Sequence, residues 1–225
     1  SFSILFRGCS CLIVYETGVL AALQELSPAM LNSASRIYGA SSGSLVATFA
    51  LCESDLGKAY ALPFILCKLM RSLDHVRTFF WRYLLGGEVL EFLRDVLNKS
   101  LPLNAHQLVS GKLHVILTRV HDWKSVAVSE FASKEELIQA ITCSCFLPVC
   151  FGFLPPKYRG VRYVDGELSM WQANFVSRTT LTVSAFAGEY DICPKDGPAA
   201  FFSFQISDCI LQISKRNFYR FKFIF

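Results

Sequence analysis

Apolar residues fall into two rhythms along this chain, and the change from one to the other marks its elements. Residues 2–6, FSILF, are a short continuous apolar run bounded by Arg7 and Gly8, which predicts a buried strand. From Leu12 the spacing lengthens: Leu12, Tyr15, Val19, Leu23 and Leu26 recur every three or four positions, a helix that Pro28 closes. The run SRIYG, residues 35–39, predicts a second strand, and Leu45, Phe49, Cys52 and Leu56 predict a second helix with one apolar face. Such alternation predicts parallel strands joined by helical crossovers.

Farther on, Val89, Leu90, Leu93, Val96 and Leu97 form a helical stripe. KLHVILTRV and KSVAVSEF, around residues 112–131, predict two strands joined by a turn at His121 and Asp122. Ser133 with Glu136 is a capping box that starts another helix. The stretch from Leu137 to Pro156 carries no charge over a length that could span a bilayer, but Pro148 should end the helix well short of that, so a buried helix followed by a loop is expected. RYVDGE and TLTVSAF predict two more strands. No internal repeat or low-complexity linker interrupts the pattern, and 225 residues suit one domain with one core.

Composition sharpens this picture in three places. With 52% hydrophobic residues, 18% charged residues and 20 phenylalanines, the chain is globular and unusually apolar. A net charge of +4 favours an anionic lipid surface and is too small for the footprint of a nucleic-acid binder. Nine scattered cysteines predict free thiols in a reducing, cytoplasmic setting, and the groups CSC at 9–11 and CSCFLPVC at 143–150 predict small core hydrophobes rather than a metal site. Lys68, Arg71, Arg77 and Arg82 alternate with Phe79, Phe80, Trp81 and Tyr83, which suits core packing with a solvated face or a helix lying on lipid. KRNFYRFKFIF at the end is basic and aromatic in alternation, compatible with a strand or a lipid-contacting tail.

The candidate chemistry centres on Gly39-Ala40-Ser41-Ser42-Gly43, a GxSxG sequence at a strand-to-helix junction. Gly39 and Gly43 clear room so that Ser41 is presented, the following helix N-terminus aims N–H groups at it, and Ser42 is a helix-start neighbour. The four histidines, at 75, 106, 114 and 121, all precede Asp165, so the usual order of serine, acid and histidine is missing. A triad of Ser41, Asp74 and His106 falls in segments with no reason to converge. This leaves a dyad of Ser41 with Asp165, the acid that ends a strand and is followed by Gly166. An ordinary carboxylate, with a pKa near ~3.9, matches an alcohol proton poorly, so such a dyad works by placement and desolvation and leans on an oxyanion hole. N–H groups in the loop Gly8, Cys9, Ser10, Cys11 could supply that hole.

The ordered segments LFRGCSCLIVYETGVLAAL, RIYGASSGSLVA, LPLNAHQL, KLHVILT, ELIQAITCSCFLPV, YRGVRYVDGELS and LTVSAFAGEYDICP resemble the patatin-like phospholipase family, in its adipose triglyceride lipase-like animal branch. The resemblance implies a three-layer α/β/α fold with a mostly parallel central sheet over residues 1–194, with 195–225 as a C-terminal extension packing on or following it. It implies a serine lipid acyl hydrolase acting on triacylglycerols, phospholipids or retinyl esters, with possible transacylase activity, at a lipid droplet or membrane surface, without a cofactor or nucleic acid and with a protein co-activator. Carried onto this chain, Ser41 is the nucleophile, Asp165 its partner and Gly8 the opening of the oxyanion loop. Where the branch reads GCGFLG, this chain has Ser10 and Ile13, and where it reads DGG this chain has Glu167. A side chain forced to positive φ would cost roughly 1–2 kcal/mol. The alternative these departures raise is a catalytically weakened lipid-surface binding or regulatory protein with the same fold.

Overall fold

The computed structural model describes residues 1–52, 87–173, 177, 179–196, 203–206 and 209–222. The strands are β1 (Ser3–Phe6), β2 (Arg36–Ala40), β3 (Leu113–Arg119), β4 (Ser125–Val128), β5 (Lys157–Tyr158), β6 (Val161–Val164), β7 (Thr180–Val183), β8 (Ser203–Ile206) and β9 (Cys209–Gln212). The α-helices are α1 (Ile13–Leu26), α2 (Pro28–Ser33), α3 (Ser42–Leu51), α4 (Gly87–Ser100), α5 (Ala105–Val109), α6 (Lys134–Ser144) and α7 (Lys215–Lys222), and 3-10 turns cover Ser10–Leu12 and Gly166–Gln172. The cation-aromatic run at 68–85, Asp74, His75, Leu56 and Cys67 lie outside the described residues.

A seven-stranded sheet runs in the order β5-β6-β3-β2-β1-β7, with β4 also paired to β3. The run β3-β2-β1-β7 is parallel, as the strand-helix alternation predicts, while β4, β5 and β6 are antiparallel. The sheet is therefore mixed, with its parallel part at the centre. Alternation within the strands divides the core. Ile4, Phe6, Ile37, Val115 and Leu117 face α1, α3 and α6, whereas Leu5, Tyr38, Ala40 and Ile116 face the turn that carries Met170. The α/β layering expected from sequence is present: among the described residues, α1, α3 and α6 pack on one face and the 3-10 turn Gly166–Gln172 packs on the other.

The pairing of β3 is what builds the site. Along one edge it holds β2, with Ala40 opposite Ile116; along the other it holds β4, with Thr118 opposite Ser125. Thr118 is also paired with Val164 of antiparallel β6, so β6 takes the same edge as β2 just beyond its end. β2 and β6 thus approach each other end to end, and the residues that leave them, Ser41 and Asp165, meet beside Leu117.

Three local expectations change. Pro28 does close α1, but as the first residue of α2, where its missing N–H costs nothing. α6 starts at the Ser133 cap, with Ser133 Oγ accepting the Glu136 N–H at 3.1 Å, but the Glu136 carboxylate reaches the Ala132 N–H instead of completing the box. It stops at Ser144, before Pro148. Among the described residues no helix is long and apolar enough to cross a membrane. The last segment is a helix, α7, not a strand. Ser214 Oγ accepts the Asn217 N–H at 3.0 Å, and Arg220 pairs with Asp196 at 2.9 Å, one turn-spaced set of contacts that alternation obscures. Cys9, Cys52, Cys143 and Cys145 are buried free thiols.

Candidate active site

Ser41 sits between β2 and α3 with φ 52° and ψ −130°, a conformation that L-residues rarely adopt. Two close approaches and one hydrogen bond hold it there. A Cβ on Gly43 would lie 2.6 Å from the Phe6 carbonyl carbon, and one on Gly39 would lie 2.7 Å from the Ser44 nitrogen, so both positions require glycine for space. The Ser41 N–H donates to Ser144 Oγ at 2.8 Å, and Ser144 donates in turn to the Ile116 carbonyl at 2.7 Å. That bridge locks the turn to the sheet.

The Ser41 hydroxyl donates to Asp165 Oδ2 at 2.6 Å. Asp165 is fully buried, its N–H on the Phe146 carbonyl at 2.8 Å and its own carbonyl accepting Thr118 Oγ1 at 2.6 Å. Oδ1 accepts the Glu167 N–H at 2.9 Å. Gly166 is needed for space, since a Cβ there would lie 2.8 Å from the Ile116 carbonyl carbon. Burial pushes the Asp165 carboxyl up to about 7, against the opposing pull of its bonds to Ser41 and the Glu167 N–H. Its basicity is thus far closer to that of an imidazole than to that of an ordinary carboxylate.

The loop opposite is arranged differently from what its sequence suggests. The Gly8 N–H donates to Glu167 Oε1 at 2.5 Å, and the Glu167 carboxylate is also paired with Arg7 at 2.7 Å. The Cys9 N–H donates to Ser42 Oγ at 2.9 Å. The Cys9 N–H is thus engaged by a side chain, as the Gly8 N–H is, and Ser42 does more than start a helix: it pins the loop to α3. Ser10 takes positive φ, 48°, whereas Ile13 lies in the helical region at −49° and carries no strain. Behind the loop, Glu16 is fully buried, and that burial raises its carboxyl well above the usual range.

Ser41, Asp165 and the Gly8–Ser10 loop share a cleft of about 280 Å³. Leu147, Leu168, Phe186, Leu211 and Phe221 give it apolar walls, with Phe221 of α7 stacked on Phe186 at 4.6 Å. His106 lies on α5, His114 packs against Tyr38 and His121 lies beside Asp122, so none of the described histidines lines the cleft. Sequence reasoning missed Ser144, Thr118 and Arg7. Ser144 stands between the two cysteines of CSC at 143–145, and attention to thiols hid the hydroxyl.

Comparison with known proteins finds similar chains. The family model for patatin-like phospholipase matches residues 4–170. The chain is 39% identical over 219 residues to an omega-hydroxyceramide transacylase of Homo sapiens, covering 97% of this chain and 40% of that protein. It is 40% identical over 218 residues to a 1-acylglycerol-3-phosphate O-acyltransferase of Homo sapiens, covering 97% of this chain and 44% of the other. With patatin-like phospholipase domain-containing protein 2 of Rattus norvegicus it shares 40% over 219 residues, 97% of this chain and 45% of that one. The chain thus spans less than half the length of these relatives. In structure it is similar to VipD from Legionella pneumophila, with a TM-score of 0.50 at 16% identity, covering 84% of this chain and 51% of the other.

Proposed function

The chain belongs to the patatin-like phospholipase family, and from that premise we propose that it is a serine lipid acyl hydrolase or acyltransferase with Ser41 as nucleophile and Asp165 as its proton partner. The observation that carries this reading is the 2.6 Å bond from the Ser41 hydroxyl to a buried carboxylate, at a serine held in a strained turn. Ser41 Oγ attacks the ester carbonyl and its proton passes to Asp165 Oδ2. Collapse of the tetrahedral intermediate expels the alcohol, which takes that proton. Water or a second acyl acceptor then attacks the acyl-serine, gives its proton to Asp165 and restores Ser41. A carboxyl near 7 exists in both forms at neutral pH, which suits a group that must take and return a proton.

The substrate class follows from the walls and the rim. Leu147, Phe186 and Phe221 suit an acyl chain, and exposed Val149, Phe153, Leu154, Leu168 and Trp171 on the segments flanking Asp165 suit a droplet or membrane surface. Triacylglycerols and phospholipids are the proposed substrates, the cytoplasmic face of a lipid surface the proposed location and a protein co-activator the proposed partner. A second reading, a lipid-surface protein of reduced turnover, is favoured by one feature: the Gly8 N–H is already bonded to Glu167. A fluorophosphonate should label the parent at Ser41 and leave Ser41→Ala unlabelled; equal labelling of both would end the hydrolase reading.

A further inference from the structure

We propose that Arg7 and the Gly8 N–H form an anion cradle beside Ser41 which Glu167 fills from within, and that a fatty-acid carboxylate competes with Glu167 for it. This deepens the acyl-hydrolase reading. Glu167 Oε1 accepts the Gly8 N–H at 2.5 Å, while Oε2 lies 2.7 Å from Arg7 Nη2 and both oxygens lie 3.2 Å from Arg7 Nε. A carboxylate received by a guanidinium fork and a backbone N–H is the contact set that any carboxylate ligand would use. The cradle is within reach of the nucleophile, because a Cβ placed on Gly8 would lie 2.8 Å from Ser41 Cβ and would overlap Glu167 Cγ. An acyl oxygen bonded to the carbon under attack by Ser41 has to find donors in this same space. The Cys9 N–H, by contrast with the Gly8 N–H, is held by a neutral hydroxyl, Ser42 Oγ at 2.9 Å.

The occupant is held in place at both ends. Its backbone N–H is bonded to Asp165 Oδ1 at 2.9 Å, and its side chain to Arg7, itself anchored by its own N–H on the Val183 carbonyl at 3.0 Å. Asp165 thus orients both the nucleophile and the group that blocks its oxyanion donor. The ligand class is set by what surrounds the cradle: an anion at one end and, along Leu147, Phe186 and Phe221, room for an alkyl chain. No bond to Glu167 needs to form or break covalently; the carboxylate turns away and the incoming oxygen takes its donors.

Decanoate binding, followed by titration calorimetry, tests this on the parent, Glu167→Ala, Glu167→Gln and the double variant Arg7→Ala with Glu167→Ala. Glu167→Ala should bind decanoate about 10-fold tighter than the parent, and the double variant should lose that gain. Glu167→Gln, which keeps the bulk and guards against a folding defect in the alanine variant, should gain less. Decanoate affinity that is unchanged or weaker in both folded single variants overturns the proposal. Fluorophosphonate labelling in parallel separates it from the hydrolase reading. Tighter decanoate with no labelling at Ser41 in any variant sustains the cradle and removes the nucleophile, and labelling without tighter decanoate does the reverse.

Discussion

The two walls of the cleft are built on opposite plans. On one, Ser41 and Asp165 stand where β2 and β6 run out against a shared edge of β3, so their meeting is a consequence of strand register. Their backbone groups are tied to the scaffold: Ser41 N–H to Ser144, Asp165 N–H to Phe146, Asp165 carbonyl to Thr118. On the other wall, the ladder ends at the Arg7 N–H, and the loop is held by side chains, with Glu167 on Gly8 and Ser42 on Cys9. Side chains of Ser144 and Thr118 brace the first wall too. The positions of Ser41 and Asp165, however, are set by register, which moves only if the sheet refolds, whereas the side chains that hold the loop change with one codon. On the proposed roles, the nucleophile wall of Ser41 and Asp165 is therefore difficult to retune, and the anion wall of the Gly8 loop is where a chain of this fold can be retuned without refolding.

The change expected to break the first wall most is Asp165→Asn, with a loss of turnover on the order of 10³ to 10⁴, because the proton from Ser41 has no acceptor. In the parent, activity should climb with pH through about 7 as the carboxylate form appears. Stability should move the opposite way. The folded carboxyl, near 7, holds its proton over a range where the unfolded one, near 3.8, has lost it, so the contribution is fullest at low pH and declines as pH rises toward 7. Asparagine has no charge to desolvate, so the variant should lose this part of the slope. Denaturant midpoints at pH 5 and pH 8 decide the matter, and a variant with the parental slope would refute the titration assigned to Asp165.

The first wall was also the legible one. Gly39, Ser41 and Gly43 announce a turn because the glycines and the apolar runs around them act within a dozen residues, and Asp165-Gly166 announces a strand end in the same way. What joins them is a vacancy along β3 left where β2 stops, which no local pattern encodes. Likewise Arg7 and Glu167 are separated by 160 positions: Glu167 stands out in sequence only as a departure from DGG, Arg7 reads as an ordinary charge, and nothing local pairs them. Ser144 was hidden by its neighbours, and Asn217 in α7 by a basic-aromatic alternation that looks like a strand until its amide is seen bridging the Ala187 and Gln212 carbonyls. Local periodicity reports elements; buried polar bridges between distant elements leave no periodic trace.

A paired substitution sharpens the contrast at intermediate size. Ser144→Ala strands two buried groups, the Ser41 N–H and the Ile116 carbonyl, and should cost about 2–3 kcal/mol while slowing labelling at Ser41. Ser42→Ala strands one, the Cys9 N–H, and should cost about 1–2 kcal/mol. Urea denaturation of the two variants measures the difference. If Ser42→Ala proves the costlier, the loop rather than the elbow is the better-anchored wall.

The smallest effect concerns the one feature the walls share, a serine at positive φ. At Ser41, φ 52° accompanies the presented hydroxyl, so relieving the strain with glycine would delete the proposed nucleophile. At Ser10, φ 48°, glycine relieves roughly 1–2 kcal/mol of backbone strain and returns part of it, about 0.5–1 kcal/mol, as added freedom of the unfolded chain. Ser10→Gly should therefore raise unfolding stability by up to about 1 kcal/mol, read from the denaturant midpoint. A fall instead would mean that the Ser10 side chain contributes more to the loop than its backbone costs. In that case the anion wall, like the nucleophile wall, holds its strain because a side chain there is needed.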